Sequence, residues 1–339
     1  MQVGDTVTLR VLTPAGPTDV VGTLLATERE TLTVRRRDGR VAVIAVDSVR
    51  AGRVVPPGPA RRISAGDLHR VMALGWRAGD VARLGEWLLR ANGGFTGRAN
   101  SALPVGDPGV AVDAAVAAVE RWYAERGLPA RIQLPGHDAA AGVVDRLDAQ
   151  GWEESPPTIV MTAELGPVLR GAATVSGVGD SVAGGELGGD EAAGGEVVGG
   201  AVELRVDAEP DDAWLAAYRQ DSPDRSPAGR LPAAARAVLT NHDTALFASV
   251  RDGGRCPAIA RVAVDGRWAG LFGVEVDPAA RRRGLGGAVV AAALRAAVTR
   301  GARLGYLQVF GANTGAIEFW HRLGFVEHHR YVYRTRHPS

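Results

Sequence analysis

The residues with the clearest chemical potential lie in VDPAARRRGLGGAVV, residues 276–290. Three arginines run into a glycine-rich turn there: Arg281, Arg282, Arg283, Gly284, Leu285, Gly286 and Gly287. The first N–H groups of a helix have no helical acceptor, so they and the helix dipole attract an anion. Glycines let an oxygen-rich group approach the backbone, and arginines add charge-assisted hydrogen bonds. The pattern predicts a site for a compact anion such as a pyrophosphate, which fits a cradle of N–H groups better than duplex DNA does.

Two elements must hold this turn in place. WAGLFGVEVDP (268–278) predicts a strand before it, and AVVAAALRAAVTRG predicts a helix that ends at Gly301. Other glycine loops fit less well: a Walker loop needs a lysine, and the chain contains none. GLGGAV also lacks the third glycine of a Rossmann fingerprint. The alternative is a turn that only joins strand to helix.

Three motifs in this part of the chain resemble one family. RRRGLG matches the R/Q-x-x-G-x-G loop of the GNAT superfamily of acyl-CoA-dependent N-acyltransferases. Before it, Val274, Val276 and Pro278 resemble the V-x-V-x-P of that family's pantetheine-binding strand. After it, LQVFGANTGAIEFWHRLGF (307–325) resembles the family's later strand, asparagine-containing loop and helix. The motifs stand in the family's order within 201–335, so the resemblance is more specific than a glycine loop alone.

The resemblance implies acetyl-CoA as co-substrate and direct transfer of its acetyl group to a primary amine. The main chain of Val274 and Val276 would pair with the pantetheine arm, and the amides of 282–287 would hold the pyrophosphate. Asn313 would contact the pantetheine end. Trp320 stands next to the thiol, where the family often has tyrosine. The two central strands would splay and give an amine access to the thioester.

The groups most often credited with proton transfer in the family are missing. An indole at Trp320 is no practical acid, and Gln308 stands where some members have a glutamate base. Glu275, His321 and Tyr306 are the remaining candidates, and Glu275 is the one we assign as catalytic. Water as proton carrier is an alternative, as is a chain that binds acyl-CoA without turning it over. No histidine cluster has metal-ligand spacing, so no metal site is predicted.

The rest of the chain predicts further units. Residues 1–56 alternate as short strands, typical of an SH3-like β-barrel. ERGLPARIQLPGHD echoes TRGARLGYLQVFGAN, which predicts a degenerate GNAT-like repeat over 64–168 before the intact domain at 201–335. Glycine and acidic residues over 169–200 predict a flexible linker. The polar segment GGFTGRANS (93–101) either shapes the amine site or forms a turn. The predicted class is therefore α/β, with a duplicated GNAT-type mixed sheet after a small barrel.

Composition limits partners and location. The net charge of +1 argues against attraction of the whole protein to nucleic acid. No apolar run reaches the roughly 18 residues of a membrane span, and the single cysteine and the absence of a signal-peptide pattern favour the cytoplasm. The resemblance implies an acetyl-CoA-dependent N-acetyltransferase whose acceptor is a protein lysine or N-terminus, such as one on a basic protein. A small-molecule amine acceptor, or an idle acyl-CoA-binding scaffold, is the alternative.

Overall fold

The computed structural model describes residues 6–14, 16–36, 40–54, 59–176, 196–198, 202–219 and 231–337. The first strands are β1 (Thr6–Thr13), β2 (Gly16–Thr27), β3 (Thr31–Arg36), β4 (Val41–Ala45) and β5 (Val49–Val54). They pair antiparallel in the order β4-β3-β2-β1-β5 over a small core that includes Leu9, Leu24 and Val34. Within the described residues up to Val54, no pairing joins β4 to β5, so hydrogen bonds do not close this sheet. The SH3-like barrel over 1–56 stays a prediction.

The rest of the chain mixes helices and strands. The helices are α1 (Pro59–Arg62), α2 (Ala65–Gly75), α3 (Val112–Ala124), α4 (Val143–Ala149), α5 (Leu165–Ser176), α6 (Asp212–Ala217), α7 (Ala233–Thr240), α8 (Leu285–Thr299) and α9 (Thr314–Arg322). β6 (Asp80–Leu84) and β7 (Trp87–Ala91) form a separate hairpin. The remaining strands are β8 (Ala130–Leu134), β9 (Glu153–Glu154), β10 (Thr158–Glu164), β11 (Glu196–Val198), β12 (Val202–Asp207), β13 (Ala245–Asp252), β14 (Arg255–Asp265), β15 (Trp268–Val276), β16 (Leu304–Phe310) and β17 (Val326–Arg336).

In the described part of the chain these ten strands form one sheet, in which the two halves exchange strands. The order is β11-β12-β13-β14-β15-β16-β10-β17-β8, with β9 beside β17. β10 of the first half thus pairs with β16, and β17 of the second half pairs with β8. β8 and β16 are the two strands that the sequence echo predicts to correspond. The mixed α/β class and the duplication predicted from the sequence are confirmed by this arrangement.

The predicted unit boundaries divide the sequence but not the sheet. Because β10 lies between β16 and β17, strands from 64–168 and 201–335 alternate within one hydrogen-bonded array. The predicted linker, 169–200, begins inside α5, which continues to Ser176. Residues 177–195 and 199–200 of that linker lie outside the described residues.

Helices cover both faces of the sheet around β14–β16. Side chains alternate between faces along a strand, so Leu271 and Leu307 pack under α5 and α8, whereas Phe272 and Tyr306 pack under α2, α6 and α7. Tyr306 is fully buried, and its ring occupies the space that a Cβ at Gly75 or Gly270 would need. These close packings fix where β15 and β16 meet.

Candidate functional site

The sheet forks between β15 and β16. The two strands pair in parallel from Trp268 and Leu304 as far as Leu271 and Leu307. Both strands then continue, but no described strand pairs with the β16-facing edge of β15 beyond that point. The divergence coincides with a bulge against β14 at Gly273, whose φ is +54°. Glycine is needed there because a Cβ would lie 2.8 Å from the Tyr218 ring.

A helix N-terminus with open amides lies next to the fork. Gly284 is the N-cap residue of α8, with φ +79°, and it has no side chain to cap the helix. The N–H groups of residues 285–287 lie in the first turn and lack intrahelical acceptors, and that turn carries no acidic side chain to accept them. Arg282 also has a left-handed backbone, φ +65°. That conformation costs a non-glycine residue of order 1–2 kcal/mol, and such strain clusters at binding sites.

The anion loop is tied to the fork. Arg281 Nε donates to the Val276 carbonyl at 3.4 Å, and Asp277 caps the 3-10 turn Pro278–Ala280 through the Ala279 N–H at 2.9 Å. Gly286 lies where the first turn of α8 meets the fork. A Cβ there would lie 3.3 Å from Val276 Cγ2 and 3.6 Å from the Phe319 ring. The open amides at the start of α8 therefore lie close beside Val276, on the strand whose edge is unpaired.

Helix α9 also lies beside Gly286, through Phe319. Asn313 caps it by accepting a hydrogen bond from the Ala316 N–H at 3.1 Å, so its side-chain carbonyl is engaged. Trp320 is 6% exposed and packs at ring-centroid distances of 4.9 Å from Phe319 and 5.4 Å from Phe325. The structure thus places Asn313 at the start of α9 and Trp320 in the core beneath it.

The residues of the loop, the fork and α9 fit the chain into a known family. A family model described as probable histone acetyltransferase Rv0428c C-terminal matches residues 65–334. The chain belongs to this family. A curated protein of Mycobacterium tuberculosis (strain ATCC 25618 / H37Rv), named probable histone acetyltransferase Rv0428c, is 28% identical over 340 residues, which are 97% of this chain and 94% of that protein.

Solved structures show the same fold. A GCN5-related N-acetyltransferase from Kribbella flavida has a TM-score of 0.52 at 19% identity, over 81% of this chain and 96% of that one. A functionally unknown conserved protein from Staphylococcus epidermidis ATCC 12228 has a TM-score of 0.51 at 10% identity, over 77% of this chain and 95% of that one. The family member described here therefore has the GNAT-type fold that its motifs predict. None of the helices in its described part combines the length and apolarity needed to cross a bilayer.

The three candidate bases of this family member lie in different surroundings. Glu275 alternates with Val274 and Val276 as expected, is half-buried beside the fork, and accepts a hydrogen bond from the Arg219 N–H at 2.8 Å. His321 instead contacts the Phe325 carbonyl through Nδ1 at 3.1 Å, at the end of its own helix. Burial raises the pKa of the Tyr306 hydroxyl, which has no hydrogen-bond partner in the described residues. Glu275 is the candidate beside the fork.

On the face of the sheet opposite α8, a cleft opens next to the fork. Its lining comes from α2, β7, the 93–101 segment, β8 and β16: His69, Met72, Trp76, Arg90, Arg98, Gln133 and Gln308. Sequence reasoning assigned no role here to any of these except Gln308. Gln133 and Gln308 stand at matching positions of the two echoed strands, β8 and β16, and both line the cleft. This repeat was the signal in the sequence for the cleft, because equivalent residues of equivalent strands in one sheet point to the same face.

The open question about GGFTGRANS has a structural answer. The segment is a turn held by Asn100, whose side-chain oxygen accepts the N–H groups of Asn92 at 2.7 Å and Gly94 at 2.9 Å. The same turn projects Arg98 into the cleft. Its guanidinium carbon lies 5.1 Å from the Trp76 ring centroid and 5.9 Å from that of Phe272. The segment is therefore both a turn and a wall of the cleft.

Three histidines form a chain behind the cleft. His69 Nε2 lies 2.8 Å from His329 Nε2, and His329 Nδ1 lies 2.8 Å from His328 Nδ1. His328 Nε2 donates to the Ile63 carbonyl at 3.0 Å, since a carbonyl can only accept. Burial lowers the pKa of His329 to about 4 and, with His329 and Arg90 nearby, lowers the pKa of His69 well below its usual range. No group of three or more potential ligands in the described residues is placed to hold a metal.

Proposed function

We propose that this protein transfers an acetyl group from acetyl-CoA to a primary amine at the fork between β15 and β16. The single observation that carries the proposal is the uncapped N-terminus of α8 beside the unpaired edge of β15. Six groups share the anion-binding role: the amides of 285–287 and the side chains of Arg281, Arg282 and Arg283, with Gly284 as the N-cap residue. The family relation and the fold support the same conclusion.

The residues of this chain suit two parts of acetyl-CoA, its pyrophosphate and its pantetheine arm. The open amides and the helix dipole suit the pyrophosphate, and Gly286 adds no side chain beside them. The main chain of Val274 and Val276 presents donors and acceptors that an added strand-like group satisfies. The side-chain amide nitrogen of Asn313 remains available to donate a hydrogen bond to the pantetheine arm. When bound, acetyl-CoA supplies a thioester that is activated towards amines.

The protein's part in the transfer is positioning and charge stabilisation. An unpaired N–H of β15, which the sequence places at Val276, donates to the oxygen on which negative charge develops. Glu275, held by the Arg219 N–H, takes up the amine proton directly or through water. Trp320 is buried and has no acidic proton, so water returns a proton to the departing thiolate. Holding amine and thioester together supplies much of the rate.

Two acceptor classes have support. The sequence predicts a protein lysine or N-terminus, and the name of the Mycobacterium tuberculosis relative agrees with that. A small-molecule amine is the second class, and the small cleft beside the fork, with its polar lining, supports it. Release of CoA measured with a thiol-reactive dye over small amines and basic proteins separates the classes. Tight acetyl-CoA binding without turnover on any acceptor would instead support an idle scaffold.

The cofactor assignment is tested by Gly286→Val. The added side chain presses on Val276 and Phe319 next to the open amides of α8. We therefore expect the calorimetric affinity for acetyl-CoA to fall at least about 100-fold. Gly166→Val in α5 is the matched control, because a Cβ there contacts only the flexible end of Arg170. Unchanged affinity in a folded Gly286→Val variant would rule out the N-terminus of α8 as the cofactor site.

A further inference from the structure

Three residues that line the cleft have hydrogen-bond donors with no acceptor in the described residues. Arg90 donates through Nε and Nη2 to Ser101 and Gln133, but its Nη1 has no acceptor in the described residues and is not sealed from solvent. Gln308 accepts from the Tyr331 hydroxyl at 2.8 Å through Oε1, which leaves its amide nitrogen to donate into the cleft. Arg98 makes ring contacts only. Three sets of unused donors therefore converge on one small space.

The positive charge around this space is not neutralised by the protein. In the described residues no carboxylate lies within ion-pair distance of Arg90, Arg98 or Arg261, whereas Arg70, Arg77 and Arg126 do form such pairs. Arg90 is 3% exposed and Arg261 is fully buried. Arg261 donates only to the Leu239 and Gly75 carbonyls, and its Nη2 has no partner. Buried charge without a counter-charge is costly, and an anion in the cleft beside Arg90 and Arg98 would supply one.

This space adjoins the reacting centre. Gln308 is the residue immediately after Leu307, the last residue of β16 that pairs with β15. Phe272, beneath the Arg98 guanidinium, is the residue immediately after Leu271, the last paired residue of β15. The donors therefore flank the point where the strands part. An anion held there lies within a few bonds of an amine that attacks at the fork.

We infer that the cleft binds a carboxylate of the acceptor, and that the acceptor is a small molecule whose amine lies a few bonds from that carboxylate, as in an amino acid. The inference rests on the proposed function and specifies its substrate class. Arg98 and Arg90 hold the carboxylate by charge-assisted hydrogen bonds, and the Gln308 amide adds a third. The amine then points across the fork towards Glu275. A lysine side chain on a basic protein brings further positive charge to an arginine-lined cleft, and the cleft disfavours it.

The test compares matched acceptors. Initial rates of CoA release are measured at saturating acetyl-CoA with each of the twenty standard amino acids, with their C-terminal amides, and with the corresponding decarboxylated amines. We expect the best amino acid to exceed its amide and its amine by at least about tenfold in kcat/KM, because each loses the charge-assisted contacts. Equal rates for acid, amide and amine would overturn the inference while leaving the acetyltransferase proposal standing.

Variants assign the effect to the cleft. Arg98→Gln keeps a planar donor but loses the charge, so we expect KM for the amino acid to rise at least about tenfold and KM for its amide to stay unchanged. Arg121→Gln, on the exposed side of α3, is the control and leaves both constants unchanged. Circular dichroism and acetyl-CoA affinity report folding independently of acceptor binding. Equal losses for acid and amide in Arg98→Gln would contradict the assignment.

A second readout covers the case in which no amine is turned over. The CoA-bound protein is titrated calorimetrically with the N-acetyl forms of the same amino acids and of their amides. Binding of an acid, and not of its amide, supports the carboxylate site without any turnover. Binding of neither overturns the inference, and the affinity for acetyl-CoA in the same protein shows separately whether the cofactor site stands.

Discussion

The histidine chain predicts that acid destabilises this fold through two particular rings. The pKa of His329 is lowered to about 4 and that of His69 well below its usual range, mainly by burial. An unfolded histidine titrates near 6.5. As pH falls below that value, the unfolded chain takes up protons that the folded chain does not, so stability is complete above pH 6.5 and is lost between about pH 6.5 and 4.

The size of the effect follows from linkage. A histidine whose pKa is near 6.5 in the unfolded chain and about 4 in the folded one lowers the free energy of unfolding by about 2 kcal/mol between pH 7 and pH 5. His329 is partly exposed, so solvent screening reduces its contribution to about 1 kcal/mol. His69 is buried and contributes at most about 2 kcal/mol more. The charged groups that face the two rings are few: Arg90, His328, Asp138 and Glu327. We expect the two histidines together to lower the free energy of unfolding by about 3 kcal/mol between pH 7 and pH 5.

The assay is urea unfolding at pH 7, 6 and 5, followed by tryptophan fluorescence and far-ultraviolet circular dichroism. His69→Gln is neutral throughout, so its loss of stability between pH 7 and pH 5 should be about 2 kcal/mol smaller than that of the original chain. His337→Gln, an exposed position, should match the original chain. His329 lies between His69 and His328, so a proton on His329 can be shared with both rings. If the His69→Gln variant and the original protein lose equal stability between pH 7 and pH 5, the three histidines accommodate that proton and the prediction is wrong.

Two further predictions concern the fork. Glu275→Gln removes the proton acceptor beside the fork, so kcat should fall about 10²-fold or more while calorimetric affinity for acetyl-CoA stays unchanged; an unchanged kcat would leave water as the base. Gly270→Val places a side chain on the ring of Tyr306, so the free energy of unfolding should fall by about 3 kcal/mol or more, with Gly166→Val as control. Matching urea midpoints for the two variants would show that the strand junction is not tightly packed.

The candidate site divides into a part that is local in sequence and a part that is not. The strand, loop and helix that run from Trp268 to Thr299 are contiguous, and their glycines and arginines predict an anion-binding helix N-terminus without any tertiary information. The cleft combines His69, the neighbouring Arg90 and Arg98, and the distant Gln308. No spacing rule connects residues 69 and 308, so an arginine-lined cleft between them is decided by the tertiary structure alone.

The same division holds for the fold. Alternation, turn residues and the echoed strands determined the class, the number of related units and the identity of β8 and β16 as counterparts. The tertiary structure decided which strands lie side by side: β10 beside β16, and β17 beside β8. The physical reason is that backbone hydrogen bonds are the same for any strand of suitable length and direction. Pairing within one unit and exchange between two units differ only in how the packed helices place the strands, which no local pattern encodes.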